Sequence, residues 1–295
     1  MELVVKIQRK IFNMSNFFDT DFNKQSLEEI KNYKYGKNWP VVYILYGKKE
    51  AYIGETTSAF RRTKDHLKNN ERKKLDLVKI ISDEKFNKSA TLDIESRLIE
   101  FMSADGKYIL QNNNRGLRKH NYYQKSIYKD KFEKIWDILK DDKLVSKDIL
   151  DIKNSDLFKY SPFKVLTDEQ LEVVSSIEYI LNSLKESRHI VSGEPGSGKT
   201  ILAVYLVKYL LEDKSNDIDD IALVIPMTSL RKTIQKIFKN IKGLMVKMVI
   251  SPYKVTNKKY DLLIVDEAHR LARRKQLSNY RAFDNVNEEL GFEKE

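Results

Sequence analysis

The sequence of 295 residues contains no cysteine. Disulfide bridges, thiolate metal sites and cysteine nucleophiles are therefore excluded, and the absence favours a reducing compartment. Long apolar runs are missing as well. No window approaches about 18 consecutive apolar residues, and the first residues, MELVVKIQRKIF, include no uninterrupted apolar stretch of a signal peptide. We therefore expect a soluble, cytoplasmic protein without a membrane partner.

Internal repeats and low-complexity tracts are also lacking, so ordinary globular domains are expected. Hydrophobic residues make up 41% and charged residues 33% of the chain, which is enough apolar material for packed cores. Because domains usually contain roughly 100–200 residues, the length predicts about two of them. The chain therefore has room for two activities.

The charge balance is basic, with 54 lysines and arginines against 43 aspartates and glutamates and a formal net charge of +11. The field of such a surface attracts polyanions, of which nucleic acid is the commonest large one. Lysines that only solvate exposed faces produce the same composition. Charge alone therefore leaves both interpretations open.

The first half of the chain carries a hairpin pattern. Two apolar runs, VVYILY at Val41–Tyr46 and AYIG at Ala51–Gly54, are separated by the polar tetrapeptide GKKE, which predicts two antiparallel strands. A basic helix is predicted over Phe60–Lys68 and an amphipathic helix over Thr91–Met102. Together these elements predict a small α+β domain.

After residue 160 the pattern alternates between helices and short apolar strands. This order predicts a parallel sheet covered by helices on both faces. The predicted elements are helix Asp168–Leu184, strand His189–Val191, helix Thr200–Leu211, strand Ile221–Ile225, helix Ser229–Asn240, and strands Met245–Ile250 and Leu262–Val265.

The predicted fold class is α/β, with the small α+β domain followed by a partial parallel sheet. We divide the chain into an N-terminal extension (1–37), the α+β domain (38–118), a helical connector without a core of its own (119–160) and the domain with the parallel sheet (161–295).

A glycine-rich loop, GEPGSGKT, directly follows the predicted strand His189–Val191. Backbone N–H groups in such a loop bind phosphate oxygens, the lysine adds charge at the β- and γ-phosphates, and the threonine offers its hydroxyl to Mg²⁺. The context of strand, loop and helix favours this interpretation over a chance match. The predicted nucleotide-binding residues are Gly193, Gly196, Ser197, Gly198, Lys199 and Thr200.

Two carboxylates follow the predicted strand Leu262–Val265. Asp266 is expected to order the waters of Mg²⁺, and Glu267 to align the water that attacks the γ-phosphate. An Asp-Glu pair can also cap a helix, but after a phosphate-binding loop catalysis is the favoured interpretation. Loop and carboxylates together predict an ATPase with ATP and Mg²⁺ as cofactors, and with Thr200 and Asp266 as metal ligands.

Gln170 lies upstream of the loop in LTDEQ, where Thr167 is a suitable N-cap for the predicted helix. A glutamine at this place is similar to the helicase motif whose glutamine reads the adenine base. An ordinary glutamine on a capped surface helix is the alternative.

Four segments, SPFKVLTDEQ, GEPGSGKT, VIPMTSLRKTI and LLIVDEAHR, resemble the first motor domain of superfamily 1 helicases, and most closely the Schlafen-group-3-like DNA/RNA helicase family. The resemblance covers about Phe158–Arg274 and implies a RecA-like fold. A complete helicase motor has a second RecA-like domain, which supplies arginines to the ATP site. The resemblance therefore implies that a second motor domain or a partner chain completes this one.

The hairpin resembles the GIY-YIG nuclease superfamily. Val41-Val42-Tyr43 stands where the family has Gly-Ile-Tyr, and Tyr52-Ile53-Gly54 matches the second motif in full. Arg62, His66 one helical turn later, and Glu95 on the later helix complete the pattern. The first glycine is absent, which leaves both tyrosines in place. The resemblance implies hydrolysis of phosphodiesters.

The resemblance gives these side chains roles. Arg62 stabilises charge on the pentavalent phosphorane. Tyr43 deprotonates water, if neighbouring cations lower its pKa, and Tyr52 or His66 positions it. Both tyrosines can instead be plain sheet residues, and His66 can be a surface residue.

Glu95 falls within the apolar stripe of its predicted helix, where an unpaired carboxylate is costly, so Mg²⁺ is its expected partner. A structural salt bridge with Arg62 is the alternative. The family's late asparagine corresponds to Asn112 or Asn113, and three consecutive asparagines leave the choice open.

Basic residues flank the predicted nuclease site without a long acidic interruption. A duplex backbone is expected to lie there and to be held electrostatically, since nothing in the pattern reads bases. These residues are Arg61, Arg62, Lys64, Lys68, Arg72, Lys73 and Lys74.

The combined prediction is a Mg²⁺-dependent endonuclease that acts on DNA, expected to be double-stranded, and is coupled to an ATP-hydrolysing, helicase-like motor. Such fusions resemble bacterial restriction and phage-defence enzymes. Two other functions remain open. One is an ATP-responsive, nucleic-acid-binding regulator whose nuclease fold is inactive, and the other is an RNA-directed nuclease or helicase, since both polymers offer the same phosphate contacts.

Overall fold

The structure is a computed structural model that describes residues 15–112, 122, 125–164, 166–183, 188–213, 218–256, 258–271 and 280–292. Contacts between residues divide the chain into two compact units. The first is formed by Met1–Asn112 and Leu117–Phe158, and the second by Asn113–Gly116 and Lys159–Glu295. None of the helices in the described ranges is long and apolar enough to cross a membrane.

The first unit combines one mixed sheet with helices. In chain order its elements are β1 (Asn16–Asp21), α1 (Ser26–Asn32), β2 (Val41–Tyr46), β3 (Glu50–Thr56), α2 (Ala59–His66), a 3₁₀ turn (Asn70–Lys74), β4 (Leu77–Ser82), α3 (Lys88–Asp105), β5 (Ile109–Leu110), α4 (Lys125–Asp141) and α5 (Ile149–Lys153), with α6 (Asp156–Lys159) at the boundary.

The sheet of the first unit has the strand order β1-β4-β2-β3-β5. Strands β2 and β3 form the predicted hairpin, in which Tyr43 lies opposite Gly54. Only the short pairing of β3 with β5 is parallel. The hairpin and the two predicted helices that follow it are confirmed, with the second helix extended to Lys88–Asp105.

The segment predicted as an N-terminal extension contributes a strand to this sheet. β1 pairs antiparallel with β4 along its whole length, from Asn16 opposite Ser82 to Asp21 opposite Leu77. The sequence NFFDTD has too few apolar residues for a strand signal of its own. It is held by its neighbour, because β4 offers a complete row of backbone partners.

The segment predicted as a connector also packs onto the first unit. The apolar side of α4 contributes Phe132 and Trp136, which contact the Phe101 ring of α3 at 5.1 and 5.7 Å between centroids. Lys79 of β4, almost fully buried, forms an ion pair with Asp142 just after α4. The segment therefore shares the core beneath α3 instead of linking two domains from outside.

The second unit is built on a parallel sheet. Its elements are α7 (Asp168–Ser183), α8 (Lys199–Glu212), β6 (Ile221–Val224), α9 (Thr228–Lys239), a 3₁₀ turn (Val246–Met248), β7 (Val249–Ile250), a 3₁₀ turn (Pro252–Lys254), β8 (Leu262–Val265), a 3₁₀ turn (Ala268–Arg270) and α10 (Arg281–Glu289). The strand order is β7-β6-β8, and both pairings are parallel, as the alternation of elements predicts.

Two strand predictions in this unit are wrong. His189–Val191 is not a strand, and Ile190 is 93% exposed, because no described strand lies beside it to pair its backbone. The prediction for Met245–Ile250 is too long, since a 3₁₀ turn precedes β7. The expected cover on both faces of the sheet also fails along β8, where Leu263 and Val265 are 43% and 39% exposed.

Candidate functional site

The hairpin places Tyr43 at the centre of the first unit's sheet, with its side chain 1% exposed. The ring lies across Gly54 on the neighbouring strand. A Cβ atom at Gly54 would lie 2.2 Å from the Tyr43 hydroxyl oxygen, which is far inside van der Waals contact. A glycine is therefore needed at position 54 to leave room for the Tyr43 ring.

The hydroxyl of Tyr43 lies between two side chains of α2. Arg62 Nε donates to it at 3.2 Å, and His66 Nε2 lies 2.8 Å from it. Because a guanidinium can only donate, the tyrosine oxygen accepts from Arg62 and its own proton is free to point to His66. This arrangement requires a neutral imidazole with its proton on Nδ1.

His66 is buried, not a surface residue. Burial lowers its pKa to about 4, and the positive charges of Arg62 and Arg72 act in the same direction. The imidazole is therefore neutral near pH 7 and can accept the Tyr43 proton. The sequence leaves this residue undecided, and the structure places it in the cluster.

The structure does not support the expectation that neighbouring cations lower the pKa of Tyr43. The hydrogen bond from Arg62 lowers the pKa of Tyr43, but burial raises it more strongly, and the net result lies well above the ordinary value. Tyr43 is therefore a neutral phenol near pH 7. Any proton that it takes up must be balanced by the one that it passes to His66.

Glu95 projects from α3 and is half-buried. One of its oxygens accepts a hydrogen bond from the backbone N–H of Glu55, at the end of β3, over 3.1 Å. Burial raises the pKa of Glu95 to about 7, and the charge of Glu55 adds to the shift. No salt bridge joins Glu95 to Arg62 in the described part of the chain, so the structural alternative is not supported.

The surroundings of Glu95 fit a magnesium ion of the kind that substrate phosphates complete. The described residues contain no group of three or more His, Cys, Asp or Glu side chains that could hold a metal alone. Mg²⁺ is often bound by one or two carboxylates together with waters and phosphate oxygens. Glu95 can supply such a carboxylate, while Glu55 is engaged by Lys88.

Asn112 lies beside the same strand. Its side chain accepts from the N–H of Ile53 at 3.0 Å and donates to the carbonyl of Ile53 at 2.7 Å. It therefore continues the pairing of β3 where β5 ends. Asn113, the other candidate for the late asparagine, lies outside the described residues.

Arg72 is one residue whose role the sequence does not reveal. It was expected to contribute to a basic surface, but only 7% of it is exposed. Its guanidinium lies 3.8 Å from the centroid of the Tyr52 ring, and its Nη1 donates to Gln111 Oε1 at 2.5 Å. A basic run such as NERKK gives no local signal that one of its arginines is buried.

The other basic residues near the site face solvent. One of them, Lys74, forms an ion pair with Glu50 at 2.6 Å. A row of exposed cations remains that can meet a phosphate backbone. It consists of Arg61, Arg62, Lys64, Lys68 and Lys73.

In the second unit the glycine-rich loop leads into α8. Gly196 and Gly198 both have φ of +84°, a conformation that other residues resist. Lys199 begins the helix, and its Nζ donates to the carbonyls of Gly193 and Glu194 at 2.7 and 2.9 Å. The lysine therefore lies over the loop, where it can reach a bound anion by exchanging these contacts.

Gln170 lies against this loop. Its Nε2 donates to the carbonyl of Ser197 at 3.0 Å, while its Oε1 accepts from the N–H of Thr167. Thr167 caps the helix, as predicted, by accepting from the N–H of Gln170. A Cβ atom at Gly198 would lie 2.7 Å from Gln170 Nε2. Gln170 therefore takes part both in the cap of the helix and in a contact with the loop, and a role at the adenine base stays a prediction.

The two predicted magnesium ligands lie together. Thr200 Oγ1 donates to Asp266 Oδ2 at 2.8 Å, and Asp266 is buried at the end of β8. Burial raises the pKa of Asp266. A bound divalent cation would lower this pKa again, because it stabilises the carboxylate. A hydroxyl and a carboxylate at this distance fit the coordination of Mg²⁺ with waters and nucleotide phosphates.

Glu267 has the left-handed conformation, with φ of +53°, which is rare outside glycine and often marks a functional position. Its carboxylate lies 3.3 Å from His269 Nε2 and 3.8 Å from Arg270 Nε. The Glu267 carboxylate therefore lies close to the side chains of His269 and Arg270, which follow it in DEAHR.

Residues 186–290 match the family model for Schlafen group 3, DNA/RNA helicase domain. The match covers about a third of the chain and includes the loop, β6, α9 and the two carboxylates. The helicase-like part of the resemblance is thereby confirmed, and with it a similarity to domains that act on nucleic acid with ATP. Searches of curated proteins and of solved structures gave no match.

Proposed function

We propose that the chain is a Mg²⁺-dependent endonuclease of the GIY-YIG type, joined to an ATP-hydrolysing, helicase-like motor, and that its substrate is double-stranded DNA. The observation that carries the nuclease proposal is the pair of hydrogen bonds that Tyr43 makes with Arg62 and His66. Restriction or phage defence is the proposed setting, by analogy with such fusions.

The proposed cleavage starts with a proton relay. The Tyr43 hydroxyl takes a proton from the attacking water while it passes its own to Nε2 of His66, so no charged phenolate is needed. Arg62 holds the hydroxyl through Nε, and its remaining N–H groups are available to the developing charge on phosphorus. The relay explains how a tyrosine of raised pKa can still serve as a base.

Glu95 is the proposed ligand of the metal. A bound Mg²⁺ would stabilise negative charge on the phosphate and the leaving oxygen. The chain's own contribution is the carboxylate, which the N–H of Glu55 orients from one side. Exposed cations on and after α2 would hold the duplex backbone without reading its sequence.

In the second unit, the loop and Lys199 would bind the phosphates of ATP, and Thr200 and Asp266 would hold its Mg²⁺. These would supply the electrostatic stabilisation that phosphoryl transfer needs. Gln170 would contact the adenine from its place against the loop, and Glu267 would align the attacking water. We propose that ATP turnover positions or gates cleavage, and that a second motor domain or a partner chain completes the motor.

The test is a cleavage assay with supercoiled plasmid and with structured RNA, each with and without Mg²⁺ and ATP. We expect nicking of the plasmid with Mg²⁺, and a loss of about a hundredfold or more in Glu95→Gln and in Arg62→Ala. ATP turnover should persist in both variants. Glu133→Gln, which removes an exposed carboxylate from α4, is the matched control and should cleave normally.

Each outcome decides between the functions. An intact plasmid in every condition would reject the nuclease and favour a nucleic-acid-binding regulator. Cleavage of RNA alone would replace the substrate but keep the chemistry. Equal cleavage by the wild type and Glu95→Gln would reject Glu95 as the metal ligand.

A further inference from the structure

Arg72 is a buried cation with incomplete pairing. It lies on the 3₁₀ turn after α2, and its ion pair with Glu71 is long, 3.9 Å, to a carboxylate that is itself 62% exposed. Its Nε has no hydrogen-bond acceptor among the residues that the structure describes. Replacement of a buried ion by an apolar side chain of similar volume is often neutral or stabilising, so a structural role alone does not call for an arginine here.

The position of Arg72 is fixed by an amide that can point only one way. Gln111 Nε2 donates to Glu50 Oε2 at 2.7 Å and to the carbonyl of Glu71 at 2.8 Å. Its oxygen therefore faces Arg72 Nη1 and accepts the hydrogen bond from it. The guanidinium is held from behind, with its flat face on Tyr52.

A continuous series of contacts runs from Arg72 to the proposed proton relay. The guanidinium lies 3.8 Å from the Tyr52 ring centroid, and the Tyr52 ring meets His66 edge to face at 4.9 Å. His66 in turn lies 2.8 Å from the Tyr43 hydroxyl. Each member is packed, so displacement of Arg72 would be passed to the imidazole.

We propose that Arg72 is a positioning residue for the cleavage reaction: its guanidinium holds the Tyr52 ring against His66, and its permanent positive charge keeps the resting imidazole in the neutral form that can accept the Tyr43 proton. The proposal rests on the nuclease function proposed above. Arg72 touches neither substrate nor metal in this account and acts only through Tyr52 and His66.

The charge of Arg72 lowers the pKa of His66, and few neighbouring groups act in the opposite direction. The groups that face His66 are Tyr43 of β2, Tyr52 of β3, Arg62 and Asp65 of α2, and Arg72 of the turn. After burial, the two arginines are the main causes that lower the pKa of His66, and Asp65 alone raises it. A buried charge is screened little by salt, so the effect of Arg72 persists in physiological buffer.

The test replaces Arg72 and follows His66 directly. Arg72→Met keeps most of the volume and removes the charge, Arg72→Lys keeps the charge and removes the flat face, and Lys48→Met removes an exposed charge from the turn between β2 and β3 as a control. NMR titration gives the pKa of His66, which is assigned among the four histidines by loss of its signal in His66→Gln. Plasmid nicking is measured over the same pH range.

We expect Arg72→Met to raise the pKa of His66 and to move the acid limb of the cleavage profile upward by the same amount. The turnover rate should fall by about tenfold or more with little change in KM, since the substrate is not touched. Arg72→Lys should keep the low pKa and restore part of the rate. Lys48→Met should match the wild type in both measurements.

An Arg72→Met protein whose His66 pKa and acid limb equal those of the wild type would overturn the proposal, even if it is less stable. If that variant does not fold, Arg72→Lys decides, because a raised His66 pKa in spite of the retained charge would also overturn it. A wild type that does not cleave would reject the nuclease function and the role of Arg72 with it, whereas a cleaving wild type with an unchanged Arg72→Met profile would reject the role of Arg72 alone.

Discussion

At the scale of single residues, burial and the neighbouring charge of Glu55 shift the pKa of Glu95 in the same direction. Both raise its pKa, to about 7, so the carboxyl is largely protonated in slightly acidic solution. Because Mg²⁺ binds the carboxylate, metal binding and loss of the proton are linked. This linkage makes the proposed metal ligand testable through proton release, with a non-cleavable duplex present to supply the phosphate oxygens that complete the site.

The first prediction is that Mg²⁺ binding to the first unit's site releases protons below about pH 7 and releases almost none near pH 9. Titration calorimetry in two buffers of different ionisation enthalpy measures the release, and apparent affinity should rise as pH passes through 7. Glu95→Gln should abolish both effects. A release that persists in this variant would assign the metal to other residues.

The raised pKa of Glu95 also makes the free energy of unfolding depend on pH. The folded state holds the proton of Glu95 above the pH at which the unfolded chain loses it, because the folded pKa is raised from 4.5 to about 7. The contribution of this group to the free energy of unfolding is therefore fully present below about pH 4.5 and declines as pH rises toward 7. Bound Mg²⁺ should remove the decline.

Lys199 gives the second prediction, in the other unit. Lys199→Ala removes the cation that lies over the loop carbonyls, so ATP affinity should fall by about a hundredfold or more while the fold stays intact. Calorimetry with ATP and Mg²⁺ measures the affinity. The control is Lys232→Ala on the exposed side of α9, which should bind as the wild type does. Unchanged affinity in Lys199→Ala would remove this lysine from the nucleotide site.

At the scale of elements, α4 is what completes the core of α3. The buried residues of α4 include Tyr128, Phe132, Ile135, Trp136 and Leu139. Asp105, at the end of α3, accepts hydrogen bonds from the backbone of Ser146 and Lys147 in the loop that follows α4. The two helices and this loop therefore stabilise one another.

The third prediction is that Phe132→Ala destabilises the first unit by about 3–5 kcal/mol, because it empties a site between Phe101 and Trp136. Both tryptophans of the chain, Trp39 and Trp136, lie in the first unit, so their fluorescence during urea unfolding reports on this unit. Lys134→Ala, exposed on the same helix, should change little. A loss below about 1 kcal/mol in Phe132→Ala would mean that α4 is only loosely attached.

At the scale of the whole molecule, the net charge of +11 sets the interaction with polyanions. Two of the basic residues near the predicted nuclease site are not counted toward this interaction, because Arg72 is buried and Lys74 is paired with Glu50. Exposed cations on and after α2 remain for phosphate contacts. The expected salt dependence is therefore smaller than the sequence count of basic residues indicates.

The fourth prediction is that affinity for double-stranded DNA falls by about a hundredfold between about 50 and 200 mM salt, as expected if four phosphates are neutralised. Fluorescence anisotropy with a short duplex measures it. Lys64→Gln should reduce the slope of the logarithmic plot by about one, whereas Lys85→Gln, exposed on the loop after β4, should leave it unchanged. A flat salt response would mean that the positive charge serves solvation alone.

Features whose signal is local can be predicted from the amino-acid sequence alone. The loop GEPGSGKT, the carboxylates after Leu262–Val265 and the hairpin around Tyr43 and Gly54 were all predictable, because the residues that define each one are neighbours in the chain or alternate with a fixed period. The spacing of Arg62 and His66 on one helical turn belongs to the same class.

Which of these charged and polar side chains are buried, and which residues bury them, depends on the tertiary structure. Arg72 in its basic run is buried against Gln111, a distant residue that Glu50 holds in place. Tyr43 has a raised pKa because burial in the sheet raises it more strongly than the hydrogen bond and charge of Arg62 lower it. The strand expected at His189–Val191 depends in the same way on a neighbouring strand that its own residues cannot specify. The burial of a charged side chain and the pairing of strands distant in sequence depend on residues far apart in the chain, which the local pattern does not specify.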